Sequence, residues 1–385
     1  MNNISTLQMT PRIVMGAGAL ERIGAEVRRL GTGPVAVITD PGLVRTGIVD
    51  RLEQLLAAAG LKATRFDEVE ADPSYETAVK ASERVRQAGA DIIVGIGGGS
   101  AQDVAKVASV LITNEGPIAK YFGIDLLPKP GIRLILAPTT AGTGSEATPI
   151  AILSDHHEKL KKGIVSPYLL PATAILDPLL TLGLPPQVTA ATGMDALIHA
   201  VEAFTSKNAT AVTDMLAIQA IRQICGNIRI AFANGDNLEA RSAMLEASLL
   251  AGMSFANAGV TAVHAFAYPI GAEYHIPHGV AKSIMLVPVM EFNMLGDIPK
   301  FARLAGLLGE CVDGLSEREA ALKAIAALRV LADDIKIPAG LRAFGVQEQA
   351  IPELAEAVLK VTRLLANNPR LLTQRDAEAI YRRAL

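Results

Sequence analysis

The fold of this chain is decided by residues 91–107, which read DIIVGIGGGSAQDVAKV. The run up to Ile96 is apolar and rich in β-branched side chains, which favour a buried strand. Three glycines follow it directly, and apolar residues then recur at the three- and four-residue spacing of a helix. A strand, a glycine turn and a helix in this order are typical of a parallel sheet covered by helices.

The same alternation runs through the first half of the chain. Short β-branched runs predict strands at residues 34–39, 63–66, 91–96 and 132–137, and helices are predicted between them at 47–59, 75–87 and 101–111. We therefore predict an α/β domain with a doubly wound parallel sheet at residues 1–185. After Pro185-Pro186 the sequence changes to long stretches rich in Ala, Leu, Ile and Met with helical periodicity, which predict an all-α domain at residues 186–385.

Composition and charge exclude several classes of protein. Lys and Arg number 36 and Asp and Glu 39, a net charge of −3 without a basic face, so we expect no nucleic-acid partner. Cys225 and Cys311 cannot form a disulfide framework, which fits a reduced, cytoplasmic location. Hydrophobic residues make up 50% of the chain, so we expect a homodimer or larger homo-oligomer that hides apolar surface.

No segment predicts export or membrane insertion. The N-terminal stretch MNNISTLQMT lacks the positive and apolar regions of a secretory signal. Residues 247–272 carry no Asp, Glu, Lys or Arg and are long enough to span a bilayer, but Asn257, His264 and Pro269 interrupt them and no basic cluster flanks them. We interpret this stretch as buried helix.

The glycine loop is a candidate phosphate site. Gly97, Gly98 and Gly99 carry no Cβ, so their N–H groups can approach a phosphate, and the following helix N-terminus adds free donors and a positive dipole. Three consecutive glycines exceed what a tight turn capped by Ser100 needs, so we favour a pyrophosphate here. A competing loop at residues 16–21 begins like a dinucleotide fingerprint, but Glu21 replaces its third glycine and would repel phosphate.

Asp40 and a threonine-rich loop follow two other predicted strands. The Asp40 carboxylate can accept hydrogen bonds from both hydroxyls of an adenosine ribose and repel a 2′-phosphate, or it can begin the turn at residues 40–42. Residues 138–146 read PTTAGTGSE and can line a phosphate or a nicotinamide, although such residues are also ordinary loop material.

Histidines carry the strongest chemical signal. Asp195 and His199 lie four residues apart in a predicted helix, which puts both side chains on one face at metal-ligand spacing. His264 lies in the uncharged stretch, where an imidazole without a partner costs desolvation energy, and His278 follows in a short Pro-His-Gly segment. Each histidine alone is more often a core residue than a ligand. Together, three imidazoles and one carboxylate are a donor set for one divalent metal with positions left for substrate.

In these segments the chain resembles the iron-dependent (group III) alcohol dehydrogenases. The similar segments are Gly97 to Ser100 with Asp103 and Lys106, residues 138–146, residues 193–199, and residues 264–279, in the order and approximate spacing of the family. The resemblance covers essentially the whole chain. It implies an N-terminal dinucleotide-binding domain and a C-terminal helical domain, an architecture like that of dehydroquinate synthase. It also implies an Fe²⁺ ion held by Asp195, His199, His264 and His278, for which Zn²⁺ can compete in vitro.

The resemblance further implies NAD as the cofactor, with the carboxylate of Asp40 selecting NAD over NADP. The residues that it places at the cofactor are Asp40, Asp72, Gly97, Gly98, Gly99, Ser100, Asp103, Thr139, Thr140, Thr143, Thr148 and Lys161.

One position departs from the family pattern. Many members carry His-x-x-x-His with the second histidine near the substrate, whereas this chain has Tyr268. Tyrosine can donate a hydrogen bond to substrate, but with an ordinary pKa of about 10 it is a poor proton acceptor at neutral pH. Hydroxyacid–oxoacid transhydrogenases also carry tyrosine at this point, so that activity, or a hydroxy-acid dehydrogenase, stays open as an alternative.

We therefore predict an oxidoreductase that transfers a hydride between NAD(H) and a small primary alcohol or aldehyde, with the metal as Lewis acid. Ile198, Phe255 and Phe266 near the ligand residues favour an uncharged substrate. A dehydroquinate-synthase-like lyase would need a basic cluster that this nearly uncharged segment lacks. A metal-free enzyme like maleylacetate reductase would not retain all the ligand-type residues, and a non-enzymatic metal-binding protein would not explain the glycine loop.

Overall fold

The computed structural model describes residues 4–156 and 160–385. The chain divides into two compact units, the first ending at Gly183 and the second running from Leu184 to Leu385. Cys225 and Cys311 are both free.

The first unit alternates strands and helices. Its strands are β1 (Ile13–Met15), β2 (Val35–Ile38), β3 (Ala63–Phe66), β4 (Ile92–Gly97), β5 (Gly123–Ile124), β6 (Arg133–Pro138), β7 (Ile150–Asp155), β8 (Leu160–Val165) and β9 (Thr173–Leu176). Its α-helices are α1 (Ile23–Leu30), α2 (Pro41–Val44), α3 (Ile48–Ala58), α4 (Tyr75–Gln87) and α5 (Gly99–Leu111).

Six of these strands form a parallel sheet in the order β1-β9-β6-β4-β2-β3. Alternate strand residues enter two cores on opposite faces, because successive side chains of a strand point in opposite directions. Ala36 and Ile38 of β2 pack in the core that includes α4 and α5, and Val35 and Val37 pack in the core that includes α1 and α3. The sheet is therefore doubly wound, as predicted. A smaller sheet has the order β5-β8-β7, in which β7 and β8 are antiparallel.

All strands and helices predicted for the first half are present, with ends within 2 residues of the predicted ones. The sequence did not predict β1, β9 or the smaller sheet. Residues 13–15 and 173–176 are short, and three or four residues cannot show a periodicity. The polar start of β8, Leu160-Lys161-Lys162-Gly163, has few of the β-branched side chains on which strand prediction depends.

Regular structure in the second unit, which is described without a gap, consists only of helices, as predicted. Its α-helices are α6 (Pro186–Thr205), α7 (Ala211–Ala233), α8 (Leu238–Ala258), α9 (Ala262–Tyr274), α10 (His278–Asn293), α11 (Ile298–Leu307), α12 (Glu317–Asp334), α13 (Ile351–Leu359), α14 (Thr362–Leu365) and α15 (Gln374–Ala384).

The uncharged stretch at residues 247–272 is not one helix but parts of two. Between α8 and α9 the chain bends by 101°. Gly259 ends α8 with a φ of +78°, a region that glycine adopts without the penalty paid by other residues. Within the described ranges no single helix is long and apolar enough to cross a membrane, and α8 and α9 meet the length and composition criteria only as a bent pair.

Candidate active site

The carboxyl ends of β2 and β4 lie side by side where the strand order reverses. In open α/β sheets, ligands bind at this point. Asp40 follows β2 and Gly97 ends β4. The two are so close that a Cβ at Gly97 would lie 3.2 Å from Asp40 Oδ2. The structure thus brings together Asp40 and Gly97, for which the sequence predicted nucleotide contacts on separate grounds.

Asp40 has the turn role that its sequence suggested. Its Oδ1 accepts a hydrogen bond of 2.9 Å from the backbone N–H of Leu43 and caps α2. Its Oδ2 is the oxygen beside the glycine loop. One carboxylate therefore caps a helix and borders the candidate phosphate site, and its contact with a ribose stays a prediction.

The glycine loop requires its glycines. Gly97 has a φ of +146°, which side-chain-bearing residues rarely adopt. A Cβ at Gly99 would lie 2.6 Å from Thr143 Cγ2, whereas a Cβ at Gly98 would make an ordinary contact of 3.6 Å with Thr140. The helix α5 begins here without a side-chain cap, so its first N–H groups are available to an anion. This cradle fits a pyrophosphate.

The competing loop after β1 already holds a carboxylate. The backbone N–H groups of Gly18 and Leu20 donate to Asp177 at 3.0 and 3.1 Å. Glu21 forms an exposed ion pair with Arg51. The donors that a phosphate would need are therefore occupied, which supports the choice of the glycine loop.

The threonine-rich loop after β6 lies against the glycine loop. The backbone N–H of Thr139 donates to the carbonyl of Gly97 at 3.0 Å, and Thr140 and Thr143 border the next two glycines. Three of the predicted cofactor residues in this loop are thus placed at the candidate phosphate site.

Asp103 and Thr148 brace the same loop. The Asp103 carboxylate accepts hydrogen bonds from Ser145 Oγ at 2.6 Å and from the backbone N–H of Ile152 at 2.9 Å. The buried ammonium of Lys106 donates to the carbonyl and hydroxyl of Thr148 at 2.9 and 3.1 Å. Burial lowers the pKa of Lys106 to about 8. Contact of Asp103 or Thr148 with the cofactor stays a prediction.

Asp72 and Lys161, which the resemblance placed at the cofactor, contact each other. Lys161 Nζ lies 2.6 Å from Asp72 Oδ1. Asp72 precedes α4 with a φ of +51°, and Lys161 lies in β8. The ion pair therefore links the segment before α4 to the smaller sheet.

Three helices of the second unit each carry two polar side chains one turn apart. These pairs are Asp195 and His199 on α6, His264 and Tyr268 on α9, and His278 and Lys282 on α10. Four-residue spacing places both members of a pair on one helix face.

Asp195, His199 and His264 form a buried cluster. One ligand atom of each lies within 4.8 Å of those of the other two. Asp195 Oδ1 is 3.5 Å from His199 Nε2. The ring of His199 stacks on those of His264 and Phe255, with centroids 4.8 and 4.2 Å apart. The metal-ligand spacing seen in the sequence therefore corresponds to three converging donors.

Glu202, which the sequence reasoning missed, holds His264 in place. Glu202 is fully buried, and its Oε2 is hydrogen-bonded to His264 Nδ1. Its Oε1 accepts three hydrogen bonds, from the N–H and hydroxyl of Thr261 and from the N–H of Val263. A carboxylate on the far nitrogen fixes the tautomer and orientation of a metal-ligating histidine. The signal was present, because Glu202 lies one turn after His199 in an otherwise apolar segment.

Protonation states in the cluster favour metal ligation. Burial lowers the pKa of His199 to about 3, and burial together with the charge of Lys282 lowers the pKa of His264 well below its ordinary value. Burial alone would raise the pKa of Asp195, but His199, Lys282 and His264 lower it overall. Burial raises the pKa of Glu202 to about 7 against its hydrogen bonds. Two neutral imidazoles and one carboxylate are donors that a divalent cation accepts.

Lys282 is the second residue that the sequence reasoning missed. Its ammonium donates to Asp195 Oδ1 and lies 3.3 Å from His264 Nε2. The site is therefore not the uncharged environment that the sequence suggested. Phe266, which the sequence analysis placed in the apolar surroundings of the substrate, packs its ring against Tyr381, with centroids 4.9 Å apart. Lys282 is the only Lys, Arg, Asp or Glu between residues 274 and 290, which is the signal that could have identified it.

His278 borders the cluster without joining the group of three converging donors. Its ring lies edge-on to that of His264, with centroids 5.9 Å apart. The Tyr268 ring lies 5.9 Å from that of His278, with an angle of 32° between the two ring planes. His278 as a fourth ligand and Tyr268 as a substrate contact stay predictions. The cluster of three, with its carboxylate support, fits a divalent metal.

Two family models match the chain. Residues 10–178 match the iron-containing alcohol dehydrogenase model, and residues 189–385 match the C-terminal model of the Fe-containing alcohol dehydrogenase family.

Individual relatives match nearly all or all of the chain. A sulfoacetaldehyde reductase of Bilophila wadsworthia is 44% identical over 361 residues, 93% of each chain. A crystal structure of 1,3-propanediol oxidoreductase has a TM-score of 0.97 with 42% identity, covering 100% of both chains. A sulfoacetaldehyde reductase from Bifidobacterium kashiwanohense in complex with NAD⁺ has a TM-score of 0.88 with 30% identity, covering 100% of this chain and 99% of that one. The chain belongs to the iron-containing alcohol dehydrogenase family, whose members are oxidoreductases acting on alcohols and aldehydes.

Proposed function

We propose that this chain is an NAD-dependent, iron-containing enzyme that interconverts a small primary alcohol and its aldehyde. The observation that carries the proposal is the convergence of Asp195, His199 and His264, with Glu202 on the far side of His264. Residues 1–185 would bind NAD, and residues 186–385 would hold the metal and the substrate.

Asp195, His199 and His264 would hold Fe²⁺, with His278 as the fourth ligand. When bound, the metal supplies Lewis-acid polarisation of the substrate oxygen. Glu202 keeps His264 Nδ1 engaged, so that Nε2, which lies 3.3 Å from Lys282 Nζ, is the nitrogen left to bind a metal. The burial of all three clustered residues excludes water from the donors.

The other side chains of the site would bind and orient the substrate. Phe255 stacks on His199 and presents an apolar wall. Tyr268, beside His278, would donate a hydrogen bond to the substrate oxygen. The names of two relatives, sulfoacetaldehyde reductase and 1,3-propanediol oxidoreductase, support a short substrate.

The glycine loop supports NAD in the first unit. Gly97, Gly98, Gly99 and Ser100 would hold the pyrophosphate at the start of α5, and Asp40 would accept the ribose hydroxyls through the oxygen beside Gly97. The NAD⁺ in the named Bifidobacterium complex supports the same choice.

The test measures NADH formation after anaerobic loading with Fe²⁺, across short primary alcohols, diols and hydroxy acids, with NADP⁺ in parallel. We expect turnover of a short alcohol with NAD⁺ that needs the metal and that His264→Ala abolishes. Equal turnover by metal-free and loaded enzyme would contradict the proposal. Turnover only after an oxo acid is added would show a hydroxyacid–oxoacid transhydrogenase instead.

A further inference from the structure

Lys282 places a buried positive charge inside the candidate metal centre. Its side chain is 1% exposed and lies one turn after His278 on α10. A buried ammonium is stable only where it finds charged or hydrogen-bonding partners. Lys282 finds them in Asp195 and His264, which are two of the three candidate metal ligands.

The ammonium and a metal ion would need the same atoms. A neutral imidazole nitrogen that carries no proton has one lone pair, so His264 Nε2 can either accept a hydrogen bond from Lys282 or bind a metal. Glu202 keeps Nδ1 occupied, so the ring cannot offer its other nitrogen. Asp195 Oδ1, which faces His199 Nε2 at 3.5 Å, is the other shared atom.

Charge repulsion adds to this competition. A dication at these donors would lie beside the ammonium in a buried site, where like charges are poorly screened. Among the described residues, the carboxylates that contact this cluster are Asp195 and Glu202, and both already take part in hydrogen bonds. If a metal bound while the ammonium stayed among these residues, the net positive charge of the buried site would therefore rise.

We propose that Lys282 is a built-in competitor for the metal: its ammonium and a divalent cation occupy Asp195 and His264 in turn, so that metal binding must displace it. The inference rests on the proposed metal centre. It has two consequences. In the metal-free site Asp195 keeps a buried counter-ion, and the metal is held more weakly than the same donors would hold it beside a neutral side chain.

The test compares the metal affinity of stripped protein in wild type and four variants. Lys282→Met and Lys282→Gln remove the charge, Lys282→Arg retains it, and Ser283→Ala is the matched control on the same helix. Among the described residues, the Ser283 hydroxyl donates its hydrogen bond to the carbonyl of Gly279. Zn²⁺ is titrated in competition with a chromophoric chelator, and thermal unfolding is recorded with and without Zn²⁺.

We expect Lys282→Met and Lys282→Gln to bind Zn²⁺ roughly tenfold or more tightly than wild type. Lys282→Arg and Ser283→Ala should not gain affinity. Stripped Lys282→Met should melt at a lower temperature than stripped wild type, because Asp195 loses its buried partner. Zn²⁺ should then raise the melting temperature of Lys282→Met by more than it raises that of wild type. The two neutral variants provide a second measurement if one of them fails to fold.

The experiment distinguishes a failure of this inference from a failure of the proposed metal centre. Unchanged or weaker Zn²⁺ binding in the neutral variants, with binding abolished by His264→Ala, would overturn the competition and keep the centre. Folded wild-type and neutral variants that all fail to bind Zn²⁺ would overturn both. Zn²⁺ binding by the neutral variants but not by wild type would support the competition and contradict the proposal that the wild type holds a metal.

Discussion

Replacing Glu202 by glutamine should weaken metal binding while the fold is retained. Oε1 of Glu202 accepts hydrogen bonds from Thr261 N, Thr261 Oγ1 and Val263 N at 3.0, 2.6 and 2.8 Å. A glutamine has the same shape, and its amide oxygen takes the Oε1 position because the opposite orientation would set its NH₂ group against three donors. The NH₂ group then faces Nδ1 of His264, where the carboxylate oxygen lay.

This change reverses the tautomer of His264. With an N–H donor opposite, Nδ1 must offer its lone pair, so the proton moves to Nε2 and blocks the atom that would bind the metal. Ligation would require two N–H groups to face each other and would forfeit a hydrogen bond to a charged acceptor, which contributes about 1.5–3 kcal/mol. That energy corresponds to a metal affinity about 10- to 150-fold weaker.

The assay is the chelator competition on stripped protein, with thermal unfolding as the test of fold. Thr261→Val is the matched control, because it removes one donor to Glu202 but leaves the carboxylate and the backbone donors in place. We expect it to change the affinity by about threefold or less. A well-folded Glu202→Gln variant that binds Zn²⁺ as tightly as wild type would refute the reasoning.

Three further predictions concern the first unit. Asp40→Ala should raise kcat/KM with NADP⁺ relative to NAD⁺ by about tenfold, since it removes a charge that repels a 2′-phosphate; an unchanged ratio in steady-state kinetics would place the ribose elsewhere. Gly99→Ala should lower the free energy of unfolding in urea by about 1–3 kcal/mol, because the Cβ meets Thr143, whereas Gly98→Ala should change it by less than about 0.5 kcal/mol; equal losses would contradict the steric argument. Hydrogen bonds from two arginines lower the pKa of Glu26 below its ordinary 4.5, so its stabilisation is present above that pH and lost as the pH falls through the lowered value. Glu26→Gln should therefore have a lower melting temperature than wild type at neutral pH and should lose less stability on acidification. An equal fall in melting temperature of the two proteins on acidification would exclude this linkage.

Four of the six strands of the parallel sheet could be predicted from the sequence, and the central ones read as continuous apolar runs because they are buried on both faces. Residues 92–97 and 133–138 are examples, and these two strands pair with each other in parallel register. The bend between α8 and α9 could not be predicted in the same way. The uncharged composition of residues 247–272 fits one buried helix as well as two, and only Gly259 marks the break.

The candidate site also has a part that the sequence could predict and a part that it could not. Pairs one turn apart, such as Asp195 and His199, are visible in the sequence because a helix fixes their relation. The partners of His264 are not visible, because Glu202 lies 62 positions before it and Lys282 lies on another helix. Contacts between helices depend on packing, which periodicity along one helix does not encode.

Glu202 and Lys282 act on opposite nitrogens of one ring, and this decides the sign of each effect. Glu202 engages Nδ1 and so presents Nε2 as a ligand, whereas Lys282 engages Nε2 itself. Neutralising the first should weaken metal binding, and neutralising the second should strengthen it. A role in stability alone would make the two variants change in the same direction, because each leaves a buried partner unpaired. Opposite changes in affinity, with both variants folded, would therefore show that the two charges regulate the availability of His264 Nε2 to the metal.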